Sequence, residues 1–131
     1  MRLLLDTHIV LWLARSPERL NSAERSLLEN KRSRRLISSA TIWELRIKWT
    51  SRRSAAAQEG LMDPLAAIAF AEGNGFELAA LTPADCATSL DVPLDHRDPF
   101  DEMLLIHAAR LGARLLTRDR LLAHHPLALA R

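Results

Sequence analysis

The sequence predicts a three-layer α/β fold in which a central, mostly parallel sheet of four to five strands is flanked by helices. Two observations predict it. Short apolar runs of strand length alternate with helical patterns along the whole chain. Three of the helical patterns also open with a capping residue followed by proline, which marks separate helix starts between the runs. At 131 residues the chain is predicted to form a single domain, residues 1–131.

Five apolar runs are predicted as strands, and the last of them has the weakest pattern. They are residues 2–5, 35–38, 76–81, 113–117 and 127–130. Helix starts follow from capping patterns: Asn21 with Glu24, and Thr41 with Glu44, have the spacing of a capping box. The three proline starts are at residues 63–64, 82–83 and 98–99. The stretch from 50 to 60 has the loosest pattern and is predicted to be loop or frayed helix.

Composition excludes several classes of protein. Hydrophobic residues make up 48% of the chain and charged residues 26%, which is typical of a folded globular protein rather than a disordered one. The apolar runs are too short to cross a membrane. The first of them ends at Asp6, which is unlike a secretory signal, and Cys86 is the single cysteine. These features predict a cytoplasmic protein without disulfides.

Two aspartates directly follow predicted strands. Asp6 ends the first strand, and Asp119 comes just after the fourth. The carboxyl ends of parallel strands are where ligands bind in open α/β sheets. Capping is the alternative for each residue, because Asp6 also precedes a predicted short helix at 8–14 and Asp119 a possible one at 120–124.

Three further acids stand at helix starts. Asp98 and Asp101 are three residues apart, so both can face one rim of the sheet, and Glu44 is the third residue of the Thr41 box. Capping explains each of them singly. As a set, these acids are predicted to share one edge of the sheet, where carboxylates repel one another unless a cation binds between them. All-oxygen ligands suit Mg²⁺ or Mn²⁺.

Four segments carry a family resemblance. In chain order they are LLLDTHIVLW, SSATIWELRIK, HRDPFDEMLLIHAARLG and ARLLTRD. Together they resemble the PIN domains of VapC-type toxins from bacterial toxin–antitoxin pairs, over most of the chain. The most specific part is the DTHxxLW opening followed about ninety residues later by HRDPFD and then TRD.

The resemblance implies a PIN-like fold and a metal-dependent endoribonuclease. It implies a Mg²⁺ (or Mn²⁺) site built from the matching acids, which are Asp6, Glu44, Asp101 and Asp119. It also implies a homodimer and a cognate VapB-type antitoxin that covers the acidic pocket. Asp98 matches an additional acid of the DPFD subgroup.

Neighbouring residues are expected to assist these acids. Thr7 and Thr117 carry hydroxyl groups that can hold water molecules around an ion. Arg97, Arg118 and His96 flank the acids and are candidates for contacts with RNA. The basic run at residues 31–35 is expected to be a solvated turn, with electrostatic steering of RNA as the alternative.

The chain departs from the family pattern at two positions. Glu102 replaces the usual arginine after DPFD, and His107 replaces the usual glutamine. A haloacid-dehalogenase-type phosphatase needs a second aspartate where His8 stands, and a receiver domain needs a lysine after the last strand. A non-catalytic RNA- or protein-binding PIN-like module is the remaining alternative.

Overall fold

Five parallel strands form one sheet in a computed structural model that describes residues 1–52, 54 and 56–130. Within these residues the strand order is β3-β2-β1-β4-β5, and every neighbouring pair is parallel. The strands are β1 (Arg2–Leu5), β2 (Arg34–Ser38), β3 (Glu77–Ala79), β4 (Arg114–Thr117) and β5 (Ala128–Ala130). The predicted sheet is confirmed, including β5, which has the weakest strand pattern in the sequence. The strand β3 is shorter than the apolar run at 76–81.

Helices connect and cover the strands. They are α1 (Thr7–Arg15), α2 (Ser22–Glu29), α3 (Ser39–Ser51), α4 (Pro64–Gly73), α5 (Pro83–Ala87) and α6 (Pro99–Leu111), with a short 3-10 helix at Pro17–Arg19. The three proline starts and the Asn21–Glu24 capping box are confirmed. At the end of α6, Gly112 adopts a left-handed conformation, with φ of 63°, which glycine reaches without the steric cost of a side chain.

The predicted capping box of Thr41 and Glu44 is wrong. The helix begins earlier than predicted, at Ser39, and the Ser38 side chain caps it by accepting a hydrogen bond from the Ala40 amide at 3.0 Å. Thr41 therefore lies inside the first turns, where it is buried. Glu44 is consequently free of any capping role. In the loose stretch at 50–60, residues 53 and 55 lie outside the described part of the chain.

The sheet separates two apolar layers, which gives the predicted three-layer arrangement. Successive side chains of a strand point to opposite faces. In β1, Leu3 and Leu5 pack with the apolar face of α1. Leu4 points the other way and packs with Leu104 and Leu105 of α6. Both faces of the sheet are thus covered by helices. Among the described residues, no helix is long and apolar enough to span a bilayer.

The strand order creates a switch point between β1 and β4. The chain builds β1, β2 and β3 outward in one direction, then returns to the other side of β1 to form β4 and β5. Connections on the two sides of this point diverge, which leaves a crevice beyond the carboxyl ends of β1 and β4. Asp6 and Asp119, which follow these two strands, are therefore carried to the rim of one crevice.

Truncation of the central strand should destabilise the fold. Leu4 is fully buried, and Leu4→Ala is expected to lower the free energy of unfolding by about 2–5 kcal/mol through lost burial and a residual cavity. Leu121→Ala is the matched control because Leu121 is 66% exposed. Urea unfolding followed by circular dichroism measures both, and equal losses in the two variants would contradict the assigned core.

Candidate active site

Asp6 is the most enclosed acid of the site. Its side chain is 6% exposed, and it accepts hydrogen bonds from the Thr7 amide at 2.8 Å and from the Thr117 hydroxyl at 2.7 Å. Burial raises the pKa of this carboxyl, and the two hydrogen bonds oppose that effect. Asp6 therefore caps α1, because the Thr7 amide is the first amide of that helix. Only one of the two Asp6 carboxylate oxygens accepts this capping hydrogen bond.

Thr117 joins Asp6 to Asp119 across the crevice. It is the last residue of β4 and is fully buried. Its hydroxyl donates to Asp6 Oδ2 and accepts from the Asp119 amide at 3.0 Å. Asp119 is half-buried, and its Oδ1 accepts a hydrogen bond from the Leu121 amide at 2.9 Å. The residues after Asp119 form turns and not a helix, so Asp119 does not cap one.

Glu44 is buried with both carboxylate oxygens bonded. Oε1 accepts from the Thr7 hydroxyl at 2.7 Å, and Oε2 accepts from Lys48 Nζ at 2.7 Å. The Thr41 hydroxyl lies 3.4 Å from that of Thr7. Glu44 also contributes to the raised pKa of Asp6 through charge repulsion, so the two carboxylates belong to one electrostatic site. Sequence reasoning missed Lys48, although its spacing of four residues from Glu44 is typical of ion pairs along a helix.

Asp101 faces the crevice from the first turn of α6. Its Oδ2 lies 2.8 Å from His96 Nε2, and Asp98 caps the same helix by accepting from the amides of Phe100 and Asp101. Burial raises the pKa of Asp101 to about 6, against the opposing effect of the His96 hydrogen bond. The hydrogen bond to Asp101 in turn raises the pKa of His96. Asp98 is exposed, and capping accounts for its position.

Charge repulsion links Asp101 to the acids of the other strands. Asp98, Asp6 and Asp119 each add to its raised pKa, after burial as the largest cause. The set offers carboxylate oxygens alone, and that donor chemistry fits a hard cation such as Mg²⁺. Within residues 1–52, 54 and 56–130, however, no three His, Cys, Asp or Glu side chains are placed to hold a metal ion as they stand.

The two arginines predicted near the site differ in their surroundings. Arg97 is exposed. Arg118 donates from Nε and Nη2 to the buried carboxylate of Glu24, and its guanidinium lies 4.4 Å from the centre of the Trp12 ring. Sequence reasoning assigned Glu24 to its capping box alone. No local signal pairs it with a residue 94 positions away.

The basic run at residues 31–35 lies at the opposite edge of the sheet. It precedes and opens β2, so it is at the amino end of a strand whose carboxyl end is near the site. Arg34 pairs with Glu77 at 2.8 Å, and the guanidinium of Arg35 lies 4.6 Å from the centre of the Phe76 ring. These contacts favour the structural interpretation of the run over steering of RNA toward the acids.

The fold agrees with comparisons to known proteins. The family model described as PIN domain matches residues 3–126, so this chain belongs to the PIN domain family. It is similar to Ribonuclease VapC22 of Mycobacterium tuberculosis, with 27% identity over 125 residues that cover 93% of this chain and 90% of that protein. The predicted resemblance is confirmed, and the phosphatase and receiver alternatives are rejected.

Solved structures share the fold at low sequence identity. VapBC2 from Rickettsia felis, bound to a DNA fragment from its promoter, aligns with a TM-score of 0.65 and 15% identity over 100% of this chain and 98% of that chain. VapBC-1 from nontypeable Haemophilus influenzae aligns with a TM-score of 0.63 and 17% identity over 100% and 97% of the two chains. DNA-bound VapBC from Salmonella typhimurium aligns with a TM-score of 0.58 and 22% identity over 100% of this chain and 97% of that chain.

Removing the charge of Asp101 should stabilise the protein at neutral pH. Its pKa of about 6 lies above the ordinary value of 3.8, so the folded state holds the proton more tightly and ionisation costs stability as pH rises through this interval. Asp101→Asn is expected to gain on the order of 2 kcal/mol at pH 7.5 and to lose most of that gain by pH 4.

Thermal and urea unfolding of the parent and Asp101→Asn proteins across this pH range measures the effect. Asp91→Asn is the control, because Asp91 is an exposed aspartate outside the crevice. A variant that is less stable than the parent by the same amount at every pH would contradict the raised pKa of Asp101.

Proposed function

We propose that this protein is a metal-dependent endoribonuclease that hydrolyses RNA phosphodiester bonds, and that it is the toxin of a VapBC-type pair. One observation carries the proposal: Asp6 and Asp119 follow the two strands at the switch point of the sheet and are both hydrogen-bonded to the Thr117 hydroxyl, and both add to the raised pKa of Asp101. Membership in the PIN domain family and similarity to a protein named ribonuclease support the same activity.

The proposed cofactor is Mg²⁺ or Mn²⁺, held by Asp6, Asp101 and Asp119. When bound, such a cation supplies positive charge to the phosphate oxygens and makes a water molecule more acidic. Asp6 is held in place by Thr117, and this hydrogen bond leaves the other lone pairs of Oδ2 available. Asp101 reaches the crevice from the first turn of a helix rather than from a strand end, and its Oδ2 lies 2.8 Å from His96 Nε2.

Glu44 has a different proposed role, as a positioning residue. Both of its oxygens are engaged, one by Thr7 and one by Lys48. Through the Thr7 hydroxyl it fixes the start of α1, whose first amide binds Asp6. Lys48 offsets the charge of Glu44, which limits the repulsion between Glu44 and Asp6. Glu44 therefore orients Asp6 and the water structure around it.

The proposed partners follow from the relatives. Several structural neighbours are VapBC complexes, which supports binding of a cognate VapB-type antitoxin by this chain. A homodimer and a location in the cytoplasm remain proposals. Exposed apolar side chains on α3 and α4, including Trp43 and Leu65, offer surface for a protein partner.

Loss of a single carboxylate should abolish cleavage. Asp6→Asn and Asp119→Asn are each expected to reduce the rate of RNA cleavage by at least about 100-fold, because each removes charge from the proposed cation site while keeping the shape of the side chain. Asp91→Asn is the matched control. The assay uses structured and single-stranded RNA with MgCl₂ or MnCl₂, and with EDTA in place of the metal.

The same assay separates the nuclease from a non-catalytic binding module. Cleavage that requires the metal and is lost in both variants supports the nuclease. Binding of RNA without any cleavage by the parent protein supports the module. Cleavage by Asp6→Asn at the parent rate would rule out the proposed site.

Metal binding should also be visible without RNA. Saturating MnCl₂ is expected to raise the melting temperature of the parent protein by roughly 5 °C, because a ligand that binds the folded state alone stabilises it. The shift should be absent in Asp101→Asn, present in Asp91→Asn and reversed by EDTA. An equal shift in the parent and Asp101→Asn proteins would contradict a role for Asp101 as ligand.

A further inference from the structure

A second feature adjoins the acidic crevice. A cavity of about 260 Å³ is lined by Asp6, His8, Trp12, Arg118 and Asp119. We propose that it binds one nucleobase of the nucleotide next to the scissile phosphate, with Trp12, His8 and Arg118 as the planar groups that contact the base. This proposal rests on the proposed ribonuclease function and adds a determinant of substrate specificity to it.

His8 and Trp12 form one wall of the cavity. They are four residues apart in α1, so their side chains lie on the same face of the helix. Their ring centres are 5.9 Å apart, and the ring planes are tilted by 37°. His8 is exposed and Trp12 is half-buried, and both side chains line the cavity beside Asp6. Aromatic side chains of this kind stack on unpaired RNA bases.

Arg118 forms the second planar group, and Glu24 holds it there. Glu24 is fully buried, and its Oε1 is fixed by the Asn21 amide at 2.8 Å. It accepts hydrogen bonds from Nε and Nη2 of Arg118, and the Arg19 carbonyl accepts another from Nη2 at 2.7 Å. The guanidinium is therefore held in one orientation against the Trp12 ring, at 4.4 Å from its centre.

The charges of the cavity favour a base over a phosphate. The positive charge of Arg118 is offset by Glu24, with which it is paired. Asp6 and Asp119 also line the cavity and add no positive charge that could bind a phosphate group. A nucleobase is neutral, and stacking does not require a free positive charge. The volume is also below the roughly 300–1,000 Å³ of sites for drug-sized ligands, which suits a single ring system.

The two carboxylates that the cavity shares with the crevice determine the position along the RNA from which the bound base comes. Asp6 and Asp119 line both this cavity and the crevice in which the phosphate would be cut. A base in the cavity is therefore attached to a nucleotide that directly flanks the cleaved bond. The geometry predicts sensitivity to the base at one position of the substrate and tolerance at positions farther away.

The test uses short single-stranded RNAs in which one nucleotide at a time, on either side of the cleaved bond, is replaced by an abasic nucleotide. Binding of these labelled RNAs is measured by fluorescence anisotropy with Asp101→Asn protein, which is not expected to cleave them. Parallel cleavage assays use the parent protein. Removal of the base at one flanking position is expected to weaken binding about 10-fold.

Three variants then assign that effect to the cavity. Trp12→Leu keeps apolar volume but removes the aromatic face, and His8→Ala removes an exposed ring. In both, the intact and abasic RNAs should bind with nearly equal affinity, whereas Trp12→Phe should restore most of the difference. Trp49→Leu is the matched control, since Trp49 is also half-buried but lines a different cavity between α3 and α4.

The outcomes distinguish this proposal from the proposed function. If base removal has no effect at any position, has the same effect in all variants, or if RNA does not bind at all, the base site is overturned. If a base at one flanking position is recognised through Trp12 and His8 in the binding assay while the parent protein cleaves nothing, the base site stands and the nuclease proposal fails. If the parent protein cleaves RNA but removal of a flanking base does not affect binding, the nuclease proposal stands and the base site fails.

Discussion

The hydrogen bond between Thr117 and Asp6 joins the two central strands at the point on which the site depends. A buried carboxylate is costly unless it is bonded, and Asp6 is satisfied by a hydroxyl from β4 and an amide from α1. The Asp6 amide also donates to the Leu116 carbonyl at 3.0 Å, which continues the pairing of β1 with β4 beyond the last strand residue. Displacement of β4 relative to β1 would therefore remove one of the two hydrogen-bond partners of the buried Asp6 carboxylate.

The other acids are arranged around this anchored carboxylate at a cost in stability. Asp101 and Glu44 come from separate helices, yet each is near enough to Asp6 for their charges to interact. Local structure offsets part of the repulsion through Lys48 on one side and His96 on the other. Neutral residues at these positions would avoid the repulsion between the carboxylates and would favour stability. Carboxylates that stay close together in the folded state are typical of a functional site.

The strands, the proline starts and the placement of Asp6 and Asp119 could be predicted because they depend on local patterns. Hydrophobic runs set the strands, and the residue after a parallel strand lies at the binding edge whatever the tertiary detail. The start of α3 could not be predicted in this way, since Ser38 and Thr41 both qualify as caps by sequence. Pairing of β2 with β3 extends the strand to Ser38 before the chain turns, which leaves Thr41 inside the helix and Glu44 available to Thr7.

Charges around the site explain why base contacts matter for its proposed substrate. Arg118 is paired with Glu24, and Arg97 shares its cavity with Asp98 and Glu102, the residue that replaces the family's usual arginine. The basic run lies at the far edge of the sheet. Arg118 is therefore not free to attract the RNA backbone, and a cation among the acids would add positive charge at the crevice. Stacking of a base would then be a further means by which this chain can fix the register of its substrate.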